Sequence, residues 1–251
     1  MGLTERFPRK DTCVAIYSRR VSTRIALRFD GFRGYEQRAL AYTRRQCRSS
    51  RQMQFSEKKA AQVAAYFLHR AGGRLEILKL MKLMYLAERA SYEKFGEPMI
   101  GDKLVSMDNG PALSITLNHM NRFLPSGPEG WETWVSDRND YVLALNREVR
   151  DPKDDLLELS DAELELLGSV WTQYGGYGSF PLAELTHEIC PEWEDPHGSS
   201  IPITQSRLLR SLGFDQQTAK ELEERIESNR HIDLAFSMPY PRYLKKLTIT
   251  L

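Results

Sequence analysis

The stretch that decides the fold is Leu75–Met120, which reads LEILKLMKLMYLAERASYEKFGEPMIGDKLVSMDNGPALSITLNHM. Its first half is too apolar for a half-exposed helix, because apolar residues cover well over half of the helix circumference. We therefore predict a central, buried helix over Glu76–Phe95 that ends at Gly96–Pro98. Its charged residues are expected on a narrow face that reaches water: Lys79, Lys82, Glu88 and Arg89.

The second half of the stretch predicts an extended segment, a turn and another helix. Lys103–Met107 reads as extended, and Asn109-Gly110-Pro111 as the turn. Gly110 precedes a proline and is biased toward extended backbone, whereas proline is well suited to a first helical turn. We expect the next helix to run from Ala112 to about Phe123.

Outside this stretch, capping residues and apolar spacing predict five further helices, at Ser56–His69, Ser160–Tyr174, Pro181–Ile189, Thr204–Leu212 and Asp215–Ser228. Ser160 and Glu163 form a capping-box pattern. Trp131–Val135 and Tyr141–Leu145 alternate and predict a β-hairpin, and a strand is expected at Leu247–Leu251. The predicted fold class is mainly α, a compact helical domain with a small antiparallel β-hairpin.

The composition excludes several classes of protein. None of the 251 residues lies in an apolar run of 18 or more, so we expect no membrane span. The N-terminus has no apolar core of a signal peptide. Cys13, Cys47 and Cys190 are odd in number and widely spread, which argues against a disulfide framework and favours a reducing cytoplasm.

The charge is distributed unevenly along the chain. Residues 1–52 contain 13 Lys and Arg against 4 Asp and Glu, whereas residues 53–251 contain 22 against 30. We expect 1–52 to be an Arg-rich extension that is disordered or not natively translated, with Met53 as a natural start. Residues 53–230 would form the helical domain and 231–251 a C-terminal tail. An alternative is that the basic arm binds nucleic acid through phosphates.

The one cluster with metal-ligand character is His187, Cys190 and His197. These residues suggest a metal-dependent hydrolase as an alternative function. The spacing lacks the paired Cys-x-x-Cys pattern, however, and a histidine at a helix end with a packed cysteine explains the same residues. No nucleotide-binding loop is present. We therefore predict no catalytic, cofactor-binding or metal-binding residues.

Several short motifs occur in a distinctive order. An apolar helix with regularly placed Lys and Tyr precedes a Gly-x-Pro, a Gly-Pro turn and a Leu-x-x-x-Thr-His motif that is followed by Trp. In this order the chain resembles the Panacea domain family of SocA-like antitoxins, over roughly Phe55 to Trp193. Asn109 replaces the usual aromatic residue, and Glu192 interrupts the usual Pro-Trp pair. The positions that carry the resemblance are Lys79, Lys82, Tyr85, Gly96, Pro98, Gly110, Pro111, Thr186, His187 and Trp193.

The resemblance implies a mostly helical, cytoplasmic antitoxin of a bacterial or phage toxin–antitoxin pair. Such proteins bind and neutralise a toxin encoded beside them, and the SocA type delivers its toxin to a protease. The implied partners are a cognate protein toxin and a protease, without membrane or nucleic acid. The family brings no catalytic residues.

Overall fold

The computed structural model describes residues 55–136 and 139–237. The extension 1–52 and the strand expected at Leu247–Leu251 lie outside these residues. Along the chain the elements are α1 (Glu57–Arg70), β1 (Arg74–Glu76), α2 (Ile77–Phe95), β2 (Leu104–Met107), β3 (Gly110–Leu113), α3 (Ser114–Met120), α4 (Trp131–Trp134), β4 (Val142–Ala144), α5 (Pro152–Asp155), α6 (Asp161–Tyr174), α7 (Ser179–Ile189), β5 (Ile201–Pro202), α8 (Gln205–Ser211) and α9 (Gln216–Ser237).

Helix α2 is the centre of the core. It contacts α1, α6, α7, α8 and β3, and its side chains from Leu80 to Glu88 are all buried. The prediction of a central, buried helix is therefore confirmed. Gly96, at φ 67°, ends the helix in the left-handed conformation, and its N–H donates to the Tyr92 carbonyl. Glycine adopts this backbone region without the steric cost that a Cβ would add.

The helix starts lie close to the predicted caps. Ser56 caps α1 by accepting a hydrogen bond from the Lys59 N–H. The capping box of Ser160 and Glu163 opens α6 with both of its reciprocal bonds present. Helix α7 begins at Ser179, two residues before the predicted Pro181. The final helix was expected to end at Ser228 and instead continues to Ser237.

Two small antiparallel sheets complete the fold. β1 pairs with β4, and the second sheet has the order β3-β2-β5. The mainly helical fold class with a small β-hairpin is confirmed, but the hairpin is β2–β3 and not the predicted one. In its register, Leu104 pairs with Leu113 and Met107 with Gly110. Pro111 lies in β3, at an edge of the sheet, where its missing N–H costs no ladder hydrogen bond.

The hairpin predicted at Trp131–Val135 and Tyr141–Leu145 is only partly formed: an antiparallel bridge joins Val135 to Leu145, but most of the first segment is helical. Trp131 and Trp134 lie in a short helix. Both are buried, since residues three positions apart share one face of a helical turn. The Glu57 carboxylate holds the start of this turn, accepting hydrogen bonds from the Trp131 N–H at 2.8 Å and from Gly127. Of the two segments only Val142–Ala144 is a strand; it pairs with β1, and the Ser136 N–H also donates a hydrogen bond to its Ala144 carbonyl.

The helix expected from Ala112 begins later, at Ser114, and ends at Met120. The buried Asp102 carboxylate explains the shift. It accepts hydrogen bonds from the Ile115 and Thr116 N–H groups, at 2.8 and 2.7 Å, and from the Thr116 hydroxyl. A carboxylate at this place satisfies the unpaired N–H groups of the first helical turn. It is supplied by a residue outside the helix, so the chain before Ser114 is free to pair with β2.

Candidate functional site: the motif cluster at the hairpin

Lys82 links helix α2 to the β2–β3 hairpin. Its side chain is buried, and Nζ donates a 2.7 Å hydrogen bond to the Pro111 carbonyl. Burial lowers the pKa of Lys82 to about 7, because the charged ammonium loses its hydration. The expectation that Lys82 reaches water is therefore wrong. The hairpin covers the position that would otherwise be open to solvent.

Gly110 lies where the hairpin approaches helix α7 closely. A Cβ on this residue would stand 2.7 Å from Thr186 Oγ1 and 3.0 Å from His187 Nε2. The residue also has a φ of +92°. Thr186 is buried and donates its hydroxyl hydrogen bond to the Ala183 carbonyl. Both the close approach and the backbone conformation require glycine here.

His187 and Trp193 close the other side of the hairpin. Their rings are stacked with centroids 4.1 Å apart, and the indole Nε1 donates a 2.9 Å hydrogen bond to the Met107 carbonyl. His187 Nε2 is buried without a hydrogen-bond partner. Its Nδ1 lies 4.0 Å from a carboxylate oxygen of Glu184. The Thr-His motif and the following Trp thus fasten the hairpin to α7.

Glu192 joins three parts of the molecule through one buried carboxylate. It accepts hydrogen bonds from the Tyr85 hydroxyl at 2.8 Å, from Arg89 Nε at 3.0 Å and from the Ser211 hydroxyl at 2.8 Å. Burial and the adjacent Glu192 charge raise the pKa of Tyr85 well above its usual value. Arg89 therefore turns toward Glu192 and does not simply extend into water. Glu192, the residue that interrupts the Pro-Trp pair, therefore anchors helix α2 to the segment after α7.

Glu88 holds the segment that follows α2. Its buried carboxylate accepts three backbone hydrogen bonds, from Met99, Ile100 and Gly101. Burial outweighs these bonds and raises the pKa of Glu88 to about 7. The expectation that this side chain faces water is also wrong. Pro98 is half buried and lies just before the three backbone N–H groups that Glu88 binds.

Lys79 and Gly96 lie at the two ends of α2, away from the hairpin. Lys79 Nζ donates to the Gly175 carbonyl at 2.8 Å and stands 5.8 Å from the centre of the Trp171 ring. A Cβ on Gly96 would lie 2.7 Å from Arg225 Nη2, so glycine also admits helix α9. Six of the motif positions therefore lie in or against the hairpin, Tyr85 is bonded to Glu192, and Lys79, Gly96 and Pro98 lie near the ends of the central helix.

The metal-binding alternative lacks a ligand set. Cys190 is buried, and burial followed by the Glu192 charge raises the pKa of this thiol to about 12. His197 is exposed and lies beside Asp195. In residues 55–136 and 139–237, no group of three or more His, Cys, Asp and Glu side chains is placed to hold a metal ion. Cys190 packs as a small apolar residue, as its other interpretation predicted.

Sequence reasoning missed the acceptor carboxylates of Glu88, Asp102 and Glu192, which are fully buried. Their only signal in the sequence is that acidic residues stand inside or next to apolar segments. A carboxylate that binds backbone N–H groups eleven or more positions away leaves no local pattern. The cluster as a whole is a buried polar framework, in which the motif side chains of Lys82, Tyr85, Thr186 and Trp193 form hydrogen bonds inside the protein.

This framework is built into a helical domain around a hairpin. Residues 80–194 match the family model described as Antitoxin SocA-like, Panacea domain. Comparison with curated proteins and with solved structures gave no match. Over residues 80–194 the chain is therefore similar to the SocA-like Panacea domain family, and the resemblance expected from the motifs is confirmed. No helix in the described part of the chain is long and apolar enough to cross a membrane.

Proposed function

We propose that this protein is an antitoxin that binds and neutralises a protein toxin encoded beside it. The observation that carries the proposal is the match of residues 80–194 to the antitoxin family. The structure supports a binding role, because Lys82, Tyr85, Arg89 and Glu192 hold the fold together through buried hydrogen bonds. Polar groups engaged in this way act as a framework, and function falls to the outer surface.

The test is co-expression with each neighbouring gene. One neighbour should arrest growth when expressed alone, and this protein should relieve the arrest and co-purify with the neighbour's product. A Leu83→Asp variant is the control, because Leu83 is fully buried and a charge there prevents folding. The proposal fails if neither neighbour is toxic, or if the Leu83→Asp variant protects as well as the natural chain.

We further propose that the toxin is neutralised in the cytoplasm, either by steric masking or by delivery to a protease. The two routes differ in the lifetime of the toxin. Under masking, the toxin persists in a stable complex, whereas an adaptor shortens its half-life. A pulse-chase measurement of the toxin with and without this protein distinguishes them.

A further inference from the structure

Helix α7 has two faces with different roles. Its inner face, with Leu182, Ala183 and Thr186, is buried in the scaffold. Its outer residues follow i, i+4, i+7, i+8 spacing and share one side of the helix. We call this side the α7 face, defined by Phe180, Glu184, His187 and Glu188.

The α7 face exposes a large aromatic side chain. Phe180 is 71% exposed, and Tyr177, in the loop just before the helix, is 42% exposed. Single exposed apolar residues are common on protein surfaces. Two aromatic residues within one turn of a helix start are a more specific feature, since aromatic side chains supply much of the binding energy in protein interfaces.

The stretch of sequence that contains this face is acidic. Residues 154–206 contain 11 Asp and Glu and no Lys or Arg. Some of these acids are paired from elsewhere in the chain, such as Glu163 with Lys59 and Glu194 with Arg207. Among the described residues, no Lys or Arg pairs with Glu184 or Glu188, and the Glu184 side chain is 81% exposed.

One residue of the face, His187, is anchored to the scaffold. His187 stacks on Trp193 at a centroid distance of 4.1 Å. Trp193 in turn bonds to the Met107 carbonyl of the hairpin. A surface that is ordered before binding loses less conformational entropy when a partner binds. The α7 face therefore combines aromatic area, negative charge and preorganisation.

We propose that the α7 face is the toxin-binding surface, and that it receives a toxin segment carrying Lys or Arg beside apolar side chains. This inference rests on the proposed antitoxin function. The cations pair with Glu184 and Glu188, and the apolar side chains cover Phe180. Nucleic acid does not suit this surface, because its phosphates repel the carboxylates.

The experiment measures the affinity of variants for the purified, neighbour-encoded toxin by calorimetry. The double variant Glu184→Lys and Glu188→Lys should bind at least about tenfold more weakly, and Phe180→Ala should weaken binding similarly. Natural binding should fall with added salt, because exposed charges are screened. The matched control is Glu221→Lys with Glu224→Lys on the exposed side of α9, which makes the same change of net charge.

The control should bind within about twofold of the natural chain, since it lies outside the proposed contact. Circular dichroism and thermal melting establish that each variant is folded. Hydrogen exchange of the complex should protect the backbone of 179–189. Equal binding by the α7 variants and the control overturns the inference and leaves the antitoxin function standing.

A second arm keeps the inference testable if the neighbouring product does not bind, which would be a failure of the proposed function. A 20-residue helical peptide of Lys, Arg and Leu is compared with a version in which Glu replaces the cations. Preference for the basic peptide that is lost in Glu184→Lys with Glu188→Lys supports the surface. Absence of that preference overturns it, as does self-association through the α7 face in sedimentation experiments.

Discussion

Tyr85 and Glu192 are 107 positions apart in the chain, yet the tyrosine hydroxyl donates a 2.8 Å hydrogen bond to the buried carboxylate. The same carboxylate accepts hydrogen bonds from Arg89 Nε and from the Ser211 hydroxyl. Helix α2, the segment after α7 and the end of helix α8 therefore meet at a single acidic side chain. The stability of the fold should depend strongly on this one residue.

We expect Glu192→Ala to lower the free energy of unfolding by about 3 kcal/mol, because it leaves the largely buried Arg89 charge without its partner. Glu192→Gln keeps one oxygen that can accept from Tyr85 and Arg89 and should cost less. Urea unfolding of the purified variants measures both. Glu188→Gln, an exposed change in the same segment, should stay within about 0.5 kcal/mol of the natural chain. Equal losses at the two positions would contradict the role given to Glu192.

Gly110→Ala should destabilise the protein by about 2–4 kcal/mol, since it combines an unfavourable positive φ with a clash against helix α7. Gly213→Ala is the matched control. Gly213 has a φ of +90°, but nothing lies within 4 Å of its added Cβ. It should therefore lose only the backbone cost of about 1–2 kcal/mol. Thermal unfolding of the pair separates the two contributions, and equal losses would argue against the close contact.

Lys82 predicts a dependence of stability on pH. Its pKa is about 7 in the folded protein and about 10.4 when unfolded. Between these values the unfolded chain binds more protons, so this group makes stability rise with pH, by up to about 1.4 kcal/mol per pH unit. Lys82→Met should remove this rise, as measured by urea unfolding from pH 7 to pH 9.5. Lys220→Met, on the exposed side of α9, is the control for losing one lysine.

Glu88 predicts the opposite dependence at lower pH. Its pKa is about 7 in the folded protein against an ordinary value of 4.5. The folded chain therefore binds more protons between pH 4.5 and 7, and this group makes stability fall as the pH rises through that interval. In Glu88→Gln the fall should disappear. A variant that keeps the same slope as the natural chain would show that the group is not buried as described.

Asp102→Ala should shorten or loosen helix α3. The change leaves the Ile115 and Thr116 N–H groups without their acceptor, at a cost of about 1–3 kcal/mol. Hydrogen exchange should accelerate in residues 114–117 and remain slow in the centre of α2. Asp195→Ala, at an exposed position, is the control and should alter neither region. Uniform acceleration across the domain would indicate global destabilisation instead.

Local patterns predicted the helices well, because caps and apolar periodicity act over a few residues. Ser160 with Glu163 and the run from Leu80 to Ala87 are both signals of this kind. The pattern was weaker where a distant side chain decides the structure. Glu57 turns Trp131–Trp134 into a helix, and Asp102 delays the start of α3 to Ser114. Neither effect is visible in the segment that it controls.

Prediction of the site from the sequence has the same limit. The order of Lys82, Gly110 and His187 predicted a family, and residues 80–194 confirm it. Their spatial meeting around the hairpin follows from contacts across the chain that spacing does not encode. Lys82 and Glu88 were expected to reach water, because a helix pattern shows polarity but not what covers it. The hairpin and the 99–101 backbone supply that cover.

Helix α7 carries some residues that hold the hairpin and others that are exposed, and this division makes the protein suitable for retargeting. Phe180, Glu184 and Glu188 make no contact that holds the hairpin, whereas Thr186 and His187 do. A library randomised at the three outer positions should therefore retain the fold in most members. Selection for growth against a panel of toxins would yield variants with new specificities on an unchanged framework.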